Sequence, residues 1–471
     1  MSCYDWMAHS ILAPAVDGLR RTHTMRHLNY LNESQWWTEE RLLDLQTNRL
    51  QRLIEHAYAT VTYYRQLMDE RGLTPRDLTT AEDLSKLPVL TRQMVHDSAD
   101  AMVSRGVPRH TLRPMLTSGS TGEPLAFYST KDDQFTYGMA RTLRALSWAG
   151  LGVADPIAQI GRPRHYRNRV DQALHLLSLA ARRVKVIDSS ILSDSTLPTI
   201  AQILCNDRYV GVFGSPPVLS FIGGYIRSTG ICISDAAKVV VSVGEQLLPH
   251  ERTLLRDVFG SEPFSKYSSF EVYDIASECP AHDGLHVQAE DVIVEVVDEN
   301  GQRATDGSLG QLVVTNLHNY AMPLIRYEIG DLSAIRHDRC SCGRWLPRLV
   351  NMVGRMSELI VTPSGRRVFG ADLGLDAFDA LGVRQFRIEQ DGEGKVVAQL
   401  EWRSTTSEDQ RAAGEERVAQ ALRMAIGESV PVSARTVDRL MPHPSGKHLV
   451  ISSRLASRLA SRASGDGKET L

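Results

Sequence analysis

The sequence predicts an α/β protein with a large N-terminal domain of mixed β-sheets and packed helices, plus a small α+β C-terminal domain. Two observations predict it. From about residue 110 to 355, apolar strand-like segments alternate with helical ones, the clearest strands being 209–213, 237–243, 291–297 and 310–316. Such alternation marks large α/β sheets. After Arg355 the composition changes. Residues 384–402 give two strands around the turn Asp391-Gly-Glu-Gly394, Glu408 to Met424 form a charged helix with Val418, Leu422 and Ile426 on one face, and 433–440 give a third strand. The expected boundaries are 1–355 for the large domain, 356–452 for the small one, and 453–471 for a disordered tail of Arg, Ser and Ala.

Taken in chain order, residues 34–73 read as helix, with Ser34 as its cap and Leu42, Leu43, Leu45, Leu50, Leu53 and Ile54 at helical spacing. Pro88 ends any helix in the connector Leu84–Thr91. Residues 117–124, Thr-Ser-Gly-Ser-Thr-Gly-Glu-Pro, put four hydroxyls and two glycines into six positions. Bare amides and small hydroxyls suit a loop that wraps phosphates; read alone, the same segment is equally a surface hairpin turn.

Composition narrows the function classes. A chain of 471 residues exceeds one ordinary core. The net charge of −3 argues against a dedicated nucleic-acid binder, and no apolar run approaches the roughly 20 residues of a membrane span. The N-terminus lacks a basic flank followed by an apolar stretch, so no secretory signal is expected. Six cysteines in so long a chain are not a disulfide scaffold, which points to a reducing, cytoplasmic setting.

Five further segments follow the loop in order: Ser242-Val-Gly-Glu245, Tyr267-Ser-Ser-Phe-Glu271, Arg326-Tyr-Glu-Ile-Gly-Asp331, Gly354-Arg355-Met-Ser-Glu358 and Pro444-Ser-Gly-Lys447. Their order resembles the adenylate-forming superfamily of acyl-CoA synthetases, adenylation domains and luciferases. Met322-Pro-Leu-Ile-Arg-Tyr327, Cys279-Pro-Ala-His-Asp-Gly-Leu-His286 and Cys340-Ser-Cys-Gly-Arg344 are similar to its phenylacetate–CoA ligase branch, and the resemblance covers about residues 40 to 450.

The resemblance implies a role for each motif. Ser118, Gly119, Ser120, Thr121 and Gly122 would hold the phosphates of ATP, with Glu123 turned outward. Gly244 and Glu245 would belong to the ATP site, Tyr267 would lie against the adenine, and Asp331 would accept hydrogen bonds from the ribose hydroxyls. Arg355 would pair with ribose or phosphate oxygens, and Glu271 would hold Mg²⁺. Lys447 would reach from a mobile small domain to the reacting carboxylate and α-phosphate, with Ser357 as hinge. Three positions depart from the family pattern: Glu123 where lysine is frequent, Ser268 in place of glycine, and Phe270 in place of a hydroxyl.

Cys340 and Cys342, two apart and followed by glycine, form a knuckle suited to one metal. With Cys279 and His286, preferred over His282 on the branch pattern, they would make a structural Zn²⁺ site; reduced, unliganded cysteines are the alternative. The acid pocket is expected near Phe135, Tyr137, Phe213, Gly214 and Ser215. The basic run Arg162, Arg164, His165, Arg167 and Arg169 is either a solvated loop or a surface for coenzyme A phosphates or an acidic carrier protein.

The expected activity is ATP-dependent activation of a small-molecule carboxylate, an arylacetate or benzoate type being the first guess, followed by transfer to coenzyme A. Transfer to an acyl carrier protein or an amine is the alternative acceptor chemistry. A nucleotide-binding protein without turnover is the reading from another class. The branch also implies a homodimer.

Overall fold

The computed structural model describes residues 3–116, 125–161, 168–193, 195–205, 208–231, 238–355, 359–368, 373, 375, 378, 381–403, 405–427, 429–440 and 451–456. The helices that precede the first strand include Thr24–Ser34, Glu39–Thr60 and Thr62–Glu70. Ser34 therefore ends one helix and does not cap the next. The cap is Thr38, whose side chain accepts from the Arg41 amide, with Glu39 and Glu40 favourably placed in the first turn. Leu50, Leu53, Ile54 and Ala57 bury the inner face of the long helix.

The strands are β1 (Arg113–Leu116), β2 (Ala126–Ser129), β3 (Ile157–Gly161), β4 (Val184–Asp188), β5 (Gly211–Gly214), β6 (Val239–Val243) and β7 (Phe264–Ser269). They continue with β8 (Tyr273–Glu278), β9 (Leu285–Val287), β10 (Val292–Val297), β11 (Gly310–Asn316), β12 (Tyr327–Arg336) and β13 (Arg348–Arg355). The remaining ones are β14 (Ile360–Val361), β15 (Arg367–Val368), β16 (Val383–Gln390), β17 (Val396–Trp402), β18 (Val432–Thr436) and β19 (Ile451–Ser453).

Eleven strands join in one sheet of order β10-β11-β12-β13-β9-β8-β7-β6-β5-β3-β4. The β4-β3-β5-β6-β7 part is parallel, and from β7 to β8 onward pairing is antiparallel. Parallel pairing needs crossovers, supplied by helices such as Pro216–Thr229 and Pro249–Phe259. The strand sequence Val-Ile-Val-Glu-Val-Val of β10 is buried at all six positions. Its one acid, Glu295, meets the buried Arg326 guanidinium at 3.1 Å.

After β15, four strands in the order β18-β17-β16-β19 form a separate sheet covered by the helix Glu408–Ile426. Phe378, Val383, Ile388, Leu400, Val418 and Leu422 build its core. β19 was not legible in the sequence. Among the described residues no helix is long and apolar enough to cross a membrane.

The helix meets its sheet at Gly414, where an added Cβ would lie 2.4 Å from the Trp402 ring. A Gly414→Val variant should therefore lose stability by about 1–3 kcal/mol, despite valine's better helix propensity than glycine's. Chemical denaturation checks this, and an unchanged midpoint would contradict the packing.

Candidate active site

The place where the sheet changes from parallel to antiparallel gathers most of the chemistry. β6 ends at Val243, which pairs with Lys266 of β7, and Gly244 follows with φ +91° and open space where a Cβ would be. Bare backbone there leaves room for a flat ring to approach. The loop is held from both sides. Gln246 donates from Nε2 to the Met352 carbonyl at 2.6 Å, and the Leu248 amide donates to Glu251 at 3.0 Å.

Tyr267 stands on β7, and its hydroxyl donates to Asp331 Oδ2 at 2.6 Å. Asp331 on β12 lies directly opposite Arg355 on β13, flanked by the left-handed glycines Gly330 and Gly354. An aromatic ring, a bare turn and a carboxylate thus come together beside the carboxyl ends of the parallel strands β6 and β7, the end at which α/β sheets bind ligands. Glu271 is buried within the β7–β8 turn and accepts from the Tyr327 hydroxyl at 3.4 Å. Phe270, at the tip of that turn, is 57% exposed. Its ring points to solvent, so the substitution of a hydroxyl there puts no bulk between Tyr267 and Glu271.

Ser118, Gly119, Ser120, Thr121, Gly122, Glu123, Ser357, Lys447 and the basic run from Arg162 to Arg167 lie outside the described residues; Arg169 opens the helix Arg169–Ala181. Of Arg355 only the backbone is described.

The five expected pocket residues separate into two groups. Phe213, on β5, lies in an apolar cluster with Leu146, Ala149, Leu151, Val241 and Phe264, and Gly214 and Ser215 continue from it into the helix Pro216–Thr229. Gly214 is required by its neighbours, because a Cβ would meet Leu219 at 3.1 Å and the Ile160 carbonyl at 3.3 Å. Phe135 and Tyr137 lie in other surroundings. The Phe135 ring sits between the guanidiniums of Arg20 and Arg113, at 4.6 and 5.1 Å. Tyr137 stacks on His318 at 3.5 Å. His318 in turn shares Asp291 with His27 and Arg49. Aromatic character alone did not reveal which neighbours would claim each ring.

The cysteine knuckle converges as expected. Ligand atoms of Cys279, His286, Cys340 and Cys342 all lie within 4.8 Å of one another. Cys279 and Cys340 sulfurs are 3.9 Å apart, and Cys342 Sγ is 3.3 Å from His286 Nε2. The His286 Nδ1–H donates to the Leu346 carbonyl at 2.9 Å, leaving the Nε2 lone pair toward the sulfurs. Burial pulls the His286 pKa down to about 4, which keeps the ring neutral and able to ligate. His282 instead faces Glu278 at 3.1 Å. Three thiols and one neutral imidazole in this arrangement fit a closed tetrahedral zinc site.

Two charged residues that sequence reasoning missed lie beside this machinery. Lys266 immediately precedes Tyr267, and Asp274 follows Glu271 by three; their Nζ and Oδ1 are 2.7 Å apart and both side chains are buried. The one signal available was a charge inside each of two otherwise strand-like runs.

No family model matches the chain. It is similar to the phenylacetate-coenzyme A ligase of Thermus thermophilus, 27% identical over 355 residues, which are 70% of this chain and 74% of that one. The phenylacetate-coenzyme A ligase of Aromatoleum evansii is 26% identical over 349 residues, 69% of this chain and 72% of its own. The solved structure of 2-hydroxyisobutyryl-CoA ligase in the postadenylation state with R3-HIB-AMP superimposes with a TM-score of 0.74 at 18% identity, covering 92% of this chain and 94% of that one. In sequence the chain thus resembles phenylacetate-coenzyme A ligases, and it shares the fold of the 2-hydroxyisobutyryl-CoA ligase structure.

Glu251, which fixes the loop carrying Gly244 and Glu245, makes the site sensitive to alkali. Burial, with the charge of Glu245, pushes its carboxyl from 4.5 up to about 8. A raised carboxyl contributes stability that is full below pH 4.5 and lost as pH rises through about 8. Thermal melts should show that alkaline fall in the wild type and a flatter profile in Glu251→Gln, which cannot ionise. Identical profiles would contradict the buried, protonated state.

Proposed function

We propose that this chain is an AMP-forming acid–thiol ligase. It joins a small carboxylate to the α-phosphate of ATP with release of pyrophosphate, then passes the acyl group to the thiol of coenzyme A. The observation that carries the reading is the Tyr267–Asp331 hydrogen bond, with the bare Gly244 turn at the end of the neighbouring strand. Tyr267 takes the adenine face and Asp331 the ribose hydroxyls. Gly244 and Glu245 form the floor under the base. Glu271 holds Mg²⁺, which would neutralise phosphate charge. Arg355 and the loop Ser118–Gly122 take ribose and phosphate oxygens, and Ser357 is the hinge that brings Lys447 over the reacting carboxylate. The acid enters beside Phe213, Gly214 and Ser215.

Because anions must be brought together, most of the rate should come from charges aimed at the transition state. Lys447→Ala is expected to cut pyrophosphate exchange about 10²-fold or more while ATP affinity stays near wild type. Asp331→Ala should instead weaken ATP binding in calorimetry. Normal exchange in the first variant, or normal affinity in the second, would sink the corresponding assignment.

A structural zinc at Cys279, His286, Cys340 and Cys342 is part of the proposal, as is a cytoplasmic setting that keeps these thiols reduced. The ion would pin the segment after β8 to the loop between β12 and β13. Metal analysis should find about one zinc per chain. Cys342→Ser should lose the metal and melt at lower temperature, because metal affinity here is partly folding free energy. A metal-free wild type purified under reducing conditions without chelator would refute the site.

A further inference from the structure

The Lys266–Asp274 pair is not explained by folding alone. Burying two charges costs several kcal/mol per ion unless their remaining hydrogen-bonding capacity is met. For several other buried acids of this protein it is met. Asp291 accepts from His27, His318 and Arg49, Glu290 from Arg144 and Ser34, and Asp133 from Ser129 and Asn316. Asp274 differs: both carboxylate oxygens are buried and accept no hydrogen bond, although Lys266 Nζ lies 2.7 Å from Oδ1. A carboxylate has about four acceptor positions, so most of the capacity of Asp274 is open.

The pair's location says what could use that capacity. Side chains alternate along a strand, so Lys266 faces away from its neighbour Tyr267, which serves the nucleotide crevice. Lys266 Nζ is 5.6 Å from the centre of the Phe213 ring. Val243 pairs with Lys266, and Gly214 pairs with Ser242, which places the carboxyl ends of β5, β6 and β7 side by side. The open charge pair therefore adjoins the Phe213 group while Tyr267 serves the other face of the same strand.

We propose that Lys266 and Asp274 select an aromatic acid bearing a hydroxyl on its ring, remote from the carboxylate. The hydroxyl donates to Asp274, its oxygen accepts from Lys266, and the ring lies against Phe213. This rests on the acid-activating reading given above. A site built to hydrogen-bond a substrate hydroxyl discriminates strongly against the analogue that lacks it, since its own polar groups are then left unpaired.

The test is pyrophosphate exchange with matched pairs, phenylacetate against 4-hydroxyphenylacetate and benzoate against 3- and 4-hydroxybenzoate. Wild-type enzyme should favour a hydroxylated acid by at least about tenfold in kcat/KM. Asp274→Asn, which keeps the volume, and the double variant Lys266→Met/Asp274→Leu, which replaces the pair by apolar groups, should both lose that preference and keep ATP affinity by calorimetry. An equal loss with every acid, or a preference that survives in both variants, would mean that the pair is a structural ion pair only and would overturn the proposal. Exchange with no acid at all would refute the acid-activating reading instead. The same acid pairs then read by thermal shift decide the pocket: selective stabilisation by the hydroxylated acid supports it, and equal stabilisation overturns it.

Discussion

The hairpin formed by β7 and β8 is the constraint on which the rest of the site depends. It is the point where parallel pairing gives way to antiparallel, and its register shifts between Tyr267 and Ser268. From this one turn the chain presents Tyr267 to Asp331, Lys266 to Phe213, and Glu271 to Tyr327. β8 then delivers Cys279 to the cysteine knuckle. The proposed nucleotide face, acid face and metal anchor are thus set by about a dozen residues in two hydrogen-bonded strands. A shift of register by one residue would exchange the two faces and bring Tyr267 to the acid side.

Around the hairpin, buried charge does the positioning. Arg144 spans Glu290, Gln288 and the Leu31 carbonyl, tying the helix Met139–Trp148 to the segment before β10 and to the N-terminal helices. Arg326, at φ +55°, links Glu295 to the carbonyls of Leu87 and Gly301 and so fixes the start of β12, which carries Asp331. Such pairs contribute little net stability compared with apolar replacements. Removing one partner leaves the other charge buried and uncompensated, so each defines a geometry that few alternatives share.

Much of this was legible in the sequence. Apolar strand-like runs located β5, β6, β10 and β11 to within about two residues, and the small-domain helix begins at Glu408 as expected. The convergence of Cys279, His286, Cys340 and Cys342 was legible because two cysteines two apart constrain each other locally, and the branch pattern supplied His286. The rest was hidden for physical reasons. Ser34 and Thr38 are both good caps, and only the packing of Ser34 on Glu290 decides between them. Phe135 and Tyr137 have the side chains a pocket would use, yet arginines and a histidine from distant segments take their rings. Lys266 and Asp274 gain meaning only when two strands place them together.

The nucleotide products test the central claim most directly. Incubated with ATP, Mg²⁺, coenzyme A and an accepted aromatic acid, the enzyme should convert ATP to AMP and pyrophosphate in equal amounts, with one thioester formed per AMP. ADP and phosphate as products, or AMP formation that does not depend on the acid, would contradict an adenylating site built on Tyr267, Asp331 and Lys447.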